Sequence, residues 1–208
     1  KATKMNKLCD VFFQPMKDSI YIKPFTMYFT LNGIKRNWDL MEVHDSVSIL
    51  IYNVTRKVLI FVKQFRPAVY YGKIPSQERA GNVDVQKYPA ELGVTIELCA
   101  GIVDKDLPLV EIAREEVLEE CGYDVPISSL KKIASYQSGV GATSSKQIAF
   151  YCEVTDDMKI HEGGGVDDES IEVIEMTVDQ VMDYVSKEHI LSPPSFLFCV
   201  QWFLRSKL

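Results

Sequence analysis

Residues Glu97 to Val125 read ELCAGIVDKDLPLVEIAREEVLEECGYDV. A short apolar strand, Val94–Cys99, runs into Ala100-Gly101, and a loop with two aspartates follows. A helix then begins, with Asp106 placed to cap it and Pro108 suited to its first turn. Val110, Ala113, Val117 and Cys121 recur in a three-four rhythm and form a buried stripe. Gly122 suits the left-handed position after the last turn. Glu116, Glu119 and Glu120 are three and four residues apart, so their carboxylates share one face. Like charges at this spacing cost roughly 0.2–0.5 kcal/mol per pair, and the helix C-terminus disfavours them further. Either this is a solvated acidic face, or a cation compensates. Hard divalent ions such as Mg²⁺ take oxygen ligands of this kind.

Around this helix the chain reads as strands, helix, strands, helices. Ser46–Asn53 and Lys57–Gln64 are continuous β-branched runs joined by a turn at 53–56, which fits a hairpin buried on both faces. Lys132–Gln137, Gln147–Val154 and Ile171–Met176 are further strands. Val178–Lys187 is an amphipathic helix, and Ser195–Leu208 is a final one striped by Phe196, Cys199, Val200 and Phe203. That order predicts an α+β protein, an α/β/α sandwich with a mixed β-sheet. Before it lies a small antiparallel strand region within Asp18–Asp39, with Asn32-Gly33 as its hairpin turn. The expected division is therefore 1–42 for the N-terminal strands and 43–208 for the main domain. A hairpin this small is marginal alone and must pack on the main domain or on another subunit. Tyr71 to Pro89 is turn-rich and reads as a loop of nearly twenty residues, functional or mobile.

Composition narrows the partners. At 208 residues with 47% hydrophobic content, the chain is one domain, or one with a small appendage. A net charge of −6 argues against a nucleic acid polymer, though not against a nucleotide held by a local Arg and a metal. Five cysteines without metal-ligand spacing read as reduced thiols of an intracellular protein. No stretch is long and apolar enough for a membrane span, and residues 1–20 do not read as a secretory signal.

Several residues outside the helix are candidates for a site. Arg66 leaves a central strand end, where it could grip phosphate bidentately or close a surface salt bridge. Trp38 is a hairpin anchor, a stacking platform for a base, or a dimer contact. The small residues from Ser138-Gly139 to Ser145 allow a ligand to approach closely. Asp167, Asp168 and Glu169 follow three glycines, so a carboxylate on this loop could swing in as a general base or form a solvated turn.

The central stretch resembles the Nudix box, G-x5-E-x7-R-E-U-x-E-E-x-G-U with U bulky and apolar. Gly101, Glu116, Val117, Glu119, Glu120, Gly122 and Tyr123 fall in register. Leu107 stands at the box Glu and Glu115 at the box Arg, whose role in the family is to orient the carboxylates. Arg114 is adjacent but points about 100° away around the helix. With VKQFRPAVY, NWDLMEVHDSVSILIYN, SYQSGVGATSSKQ and the GGGVDDESIEV loop, residues 20–205 look like the UDP-sugar diphosphatase branch of that family. The resemblance implies Mg²⁺-dependent (or Mn²⁺-dependent) hydrolysis of nucleotide sugars such as UDP-glucose in the cytoplasm, by a homodimer whose N-terminal strands cross the partner. It implies that Glu116, Glu119, Glu120 and the Ala100 carbonyl bind the metal. Glu120 with Glu169 or Asp167 would serve catalysis, and Arg66, Trp38, Ser138 and Gly139 would serve substrate. ADP-ribose diphosphatase is the nearest alternative activity. A nucleotide-binding module without turnover is the alternative suggested by Leu107 and Glu115.

Overall fold

The β-branched runs form the centre of the molecule because both of their faces are buried. The computed structural model describes residues 8–17, 19, 22–166 and 169–207. Strands β4 (Ser46–Asn53), β5 (Val58–Phe65), β9 (Lys131–Gln137), β10 (Lys146–Val154) and β11 (Ile171–Thr177) lie in the order β11-β5-β4-β10-β9. The pair β4–β10 is parallel and the others are antiparallel, so the sheet is mixed as expected.

Side chains alternate across it. Val47, Ile49, Ile51, Ile60, Val62, Ile148 and Phe150 face a helix α2 (Leu109–Cys121) that buries Ile112, Ala113, Val117 and Cys121. Leu50, Leu59, Phe61, Ala149 and Tyr151 face α3 (Val178–Val185) and α4 (Pro194–Ser206), through Val181, Phe196, Cys199, Val200 and Phe203. Each large side chain withdrawn from water in this way contributes about 1.5–3 kcal/mol. The α/β/α sandwich follows from these two stripes.

The sheet splits where the site forms. β4 and β5 pair only from Ile51–Asn53 to Val58–Ile60. Beyond that, β5 takes β7 (Val94–Glu97) as its partner and β4 takes β8 (Cys99–Ile102). Leu98 is buried between the two short strands on the α4 side. One extended segment thus crosses from one diverging strand to the other, and α2 follows directly. This break at Leu98 replaces the single strand expected over Val94–Cys99.

Two local expectations are corrected. Asp106 does not cap α2: Pro108 is the N-cap residue, there is no side-chain cap, and the Pro108 carbonyl accepts from the Glu111 and Ile112 amides. Residues 71–89 are not a bare loop. Helix α1 (Pro67–Lys73) starts at Pro67, and Tyr70, Ile74 and Tyr88 build a small third core beneath it. β6 (Gly81–Asn82) pairs with β1 (Phe12–Phe13) over this core. The aromatic positions outweigh the turn residues between them.

The N-terminal hairpin is present, as β2 (Lys23–Leu31) and β3 (Ile34–Glu42). Asn32 and Gly33 both have positive φ, 53° and 78°, as a two-residue hairpin turn requires. The hairpin touches the main sheet's surroundings through the loop 138–145: the Met41 amide donates to Ala142 O at 2.7 Å, and Trp38 Nε1 donates to Gly141 O at 2.7 Å. Phe25, Met27, Leu31, Ile34 and Trp38 share one of its faces by register, and each remains at least half exposed.

Candidate active site

The carboxylates of α2 meet the split in the sheet at a cleft of about 1460 Å³. Glu116, Glu119 and Glu120 line it together with Ala100, Gly101, Arg66, Ser138 and Glu169. The fit between α2 and β8 is close at two points. The Ala100 amide donates to Glu120 Oε2 at 2.9 Å. Glu116 lies against Gly101 so tightly that a Cβ on that residue would overlap its carboxylate. Only glycine admits this approach.

Burial and crowding set the electrostatics. Glu120 is 3% exposed, and burial pushes its pKa up to about 8, with the charge of Glu116 adding to the rise and the Ala100 amide opposing it. Glu116 is pushed up to about 7 by burial and by the neighbouring Glu119 and Glu169. Among the described residues, no three His, Cys, Asp or Glu side chains stand in metal-holding geometry. The set nevertheless fits a hard cation by its chemistry. All its donors are oxygen, and the carboxylates that burial and mutual repulsion leave uncomfortable are the ones facing the cleft.

The glycine-rich segment 161–165 has a second role that its composition did not suggest. Gly163, Gly164 and Gly165 have φ of 72°, 116° and 82°. The Gly164 amide donates to Glu120 O at 2.9 Å, the Gly165 amide to Glu119 O at 3.1 Å, and the Ile160 amide to Gly122 O at 2.8 Å. The loop therefore satisfies carbonyls at the C-terminal end of α2, which would otherwise be orphaned. Gly122 itself has φ 79° and lies against His161 O, where no Cβ would fit. Glu169 is fixed in the same loop, its Oε2 accepting from the Val166 amide at 3.0 Å, and it faces the cleft. Asp167 and Asp168 lie outside the described residues.

Arg66 reaches the cleft, but its first partner is Glu97. Nε and Nη2 each donate to that carboxylate at 2.7 Å, and Thr95 Oγ1 donates to Glu97 Oε1 at 2.6 Å. The Glu97 hydrogen bonds hold Arg66 firmly protonated, with Glu120 and Glu169 adding to the attraction. Ser138 lines the wall and its loop is closed by the Ser138 amide donating to Ser145 O at 2.9 Å. Gly139 packs against Thr143. Trp38 is absent from the cleft lining within this chain and anchors the hairpin.

The chain is 42% identical to the uridine diphosphate glucose pyrophosphatase of Mus musculus, over 89% of this chain and 89% of that protein. The Bos taurus protein of the same name is 40% identical with the same coverage. A GDP-mannose pyrophosphatase of Salmonella typhimurium is 35% identical, over 78% of this chain and 82% of its own length. The chain belongs to the Nudix hydrolase family. No family model matches it.

As a Nudix hydrolase it departs from the box at two positions, and the structure accounts for both side chains. Glu115 turns away and accepts from Lys105 Nζ at 2.6 Å. Leu107 is 38% exposed in the loop before α2. Arg114 does not replace the missing Arg: it donates to Val125 O at 3.0 Å and Asp124 Oδ1 at 2.6 Å. The Ala100 amide holds Glu120 by a hydrogen bond instead, and Gly101, lacking a Cβ, leaves the space that the Glu116 carboxylate occupies. Glu97 escaped sequence reasoning, although a charged residue inside an apolar strand was a usable signal.

Proposed function

We propose that this Nudix hydrolase cleaves the diphosphate bond of nucleoside diphosphate sugars, UDP-glucose and water giving UMP and glucose 1-phosphate. The observation that carries the reading is one cleft in which Glu116, Glu119, Glu120 and Glu169 share a wall with Arg66. A diphosphate cannot settle among these carboxylates without cations. Glu116, Glu119, Glu120 and the Ala100 carbonyl would hold Mg²⁺ or Mn²⁺. Such an ion, when bound, neutralises the diphosphate and lowers the pKa of a bound water.

The chain's own groups do the rest. A guanidinium has five N–H donors and Glu97 takes two of those on Arg66, so the remainder are free to grip a phosphate oxygen. Glu169 is the candidate base for the attacking water, with Asp167 as the neighbouring alternative. Glu120, the most buried carboxylate among the described residues, holds its position through the Ala100 amide. Ser138 and Gly139 would shape the substrate wall.

The half-exposed apolar face of the β2–β3 hairpin supports a homodimer in which this hairpin, the main part of the expected N-terminal region 1–42, packs on a partner, while residues 43–208, with β1 against them, form the catalytic domain. Trp38 would then meet the nucleoside from across that interface. Four buried, unpaired cysteines support a reducing compartment such as the cytoplasm. Among the described residues no helix is long and apolar enough to cross a membrane.

The test is a substrate panel of UDP-glucose, GDP-mannose and ADP-ribose at fixed Mg²⁺, with products resolved by chromatography. UMP and glucose 1-phosphate should dominate. Turnover of ADP-ribose alone would replace the proposed substrate class, and binding without turnover of any member would remove the activity.

A further inference from the structure

The cleft continues past the carboxylates to the α4 side of the sheet, and its chemistry changes there. Ser48, Tyr136, Gln147 and Ser195 line this end. The Tyr136 hydroxyl donates to Gln147 Oε1 at 3.0 Å, and the Phe198 ring meets the Tyr136 ring edge-on with centroids 5.2 Å apart. These groups are neutral hydroxyls and an amide, a set suited to other neutral hydrogen-bonding groups and poorly suited to phosphate.

Ser48 is the decisive residue. It is 1% exposed, it lines the cleft, and its Oγ lacks a well-formed hydrogen bond among the described residues, although the Tyr136 hydroxyl interacts with it. A buried hydroxyl without a well-formed hydrogen bond is destabilising. Its register partner Ala100 on β8 donates its amide to Glu120, so Ser48 lies one strand away from the α2 carboxylates. A group bound at Ser48 is therefore close to the point where the diphosphate is held.

We propose that Ser48, Tyr136, Gln147 and Ser195 form the glycosyl subsite, where the hydroxyls of the sugar are read. This rests on the nucleotide-sugar reading above and names which end of the cleft distinguishes one sugar from another. A hexose presents several small hydroxyls in fixed directions, each able to donate and accept. Separate hydroxyl and amide partners on three elements match that pattern. A nucleobase presents two broad apolar faces, and the aromatic pair here meets edge-on without forming a stacking slot. Pairing with a sugar hydroxyl completes the hydrogen bonding of Ser48, and an epimer that withdraws the hydroxyl leaves it with the Tyr136 contact alone.

The test compares wild type with Ser48→Ala and Tyr136→Phe on three substrates: UDP-glucose, UDP-galactose and the methyl ester of UDP, in which a methyl group replaces the glycosyl group. Tyr136→Phe keeps the ring against Phe198 and serves if Ser48→Ala fails to fold. The expected result is a loss in kcat/KM on UDP-glucose exceeding that on the methyl ester by about three- to tenfold, the worth of one neutral hydrogen bond. The glucose-to-galactose ratio should shift in the same variants. Equal losses on UDP-glucose and the methyl ester would overturn the subsite, as would no loss at all. Wild type inactive on all three substrates would instead refute the hydrolase reading on which the subsite depends.

Discussion

Replacing Glu120 by Gln should stabilise the metal-free protein, and by an amount that grows with pH. Glu120 is 3% exposed and its folded pKa is about 8, against 4.5 for an ordinary glutamate. Between those values the folded protein holds a proton that the unfolded chain has released. The folded state then binds more protons than the unfolded one, so stability falls as pH rises through this window. The loss attributable to Glu120 is near zero at pH 4.5 and about 3 kcal/mol at pH 7, by the arithmetic of 1.36 kcal/mol per tenfold in proton affinity. Gln keeps the oxygen that accepts from the Ala100 amide and cannot ionise. In buffer with EDTA, the Tm of Glu120→Gln should approach that of wild type near pH 4.5. It should exceed wild type by roughly 6–12 °C at pH 7, taking 2–4 °C per kcal/mol for a chain of this size. Thermal unfolding followed by circular dichroism across pH 4.5–8 measures this directly. A difference that does not vary with pH, or a variant less stable than wild type throughout, would refute the reasoning.

Three further outcomes follow from close contacts in the structure. Gly101→Ala places a methyl group where the Glu116 carboxylate lies, so Glu116 must swing away while the backbone stays; metal affinity measured by titration should fall about tenfold or more with Tm nearly unchanged. Gly163→Ala adds a Cβ against Glu120 O at a φ of 72°, costing about 1–3 kcal/mol; a lowered Tm accompanied by reduced activity is expected, and an unchanged Tm would contradict the loop's role in holding the end of α2. Met27→Asp with Ile34→Asp charges the uncovered hairpin face without touching the core; wild type should sediment as a dimer and the variant as a monomer of similar Tm.

The legible parts of this chain are those where one residue type serves one local need. Continuous β-branched runs marked β4 and β5, the three-four stripe marked α2, an apolar stripe marked α4, and Asn32-Gly33 marked the hairpin turn. The grouping of Glu116, Glu119 and Glu120 was visible because helix periodicity is fixed. What stayed hidden depends on partners distant in sequence. The Arg66–Glu97 pair joins the end of β5 to β7 across 31 residues, and the Gly164 and Gly165 amides reach back more than forty residues to α2. Those glycines read as mobility because their partners are carbonyls, which every residue carries. Residues 71–89 were misread for a related reason: Tyr70, Ile74 and Tyr88 form a core only when the chain returns on itself. Helix α2 lacks its expected Asp106 cap because the proline that follows directs the chain into the first turn without one.

The central claim is that the α2 carboxylates make this cleft a cation-dependent diphosphate hydrolase site. It is tested most directly by following UMP and glucose 1-phosphate release from UDP-glucose, with Mg²⁺ and with EDTA, in wild type and in Glu119→Gln/Glu120→Gln. Stoichiometric products from wild type with Mg²⁺ are predicted, with loss of turnover in EDTA and in the folded double variant. Undiminished turnover by the double variant would contradict the account and move the site away from α2.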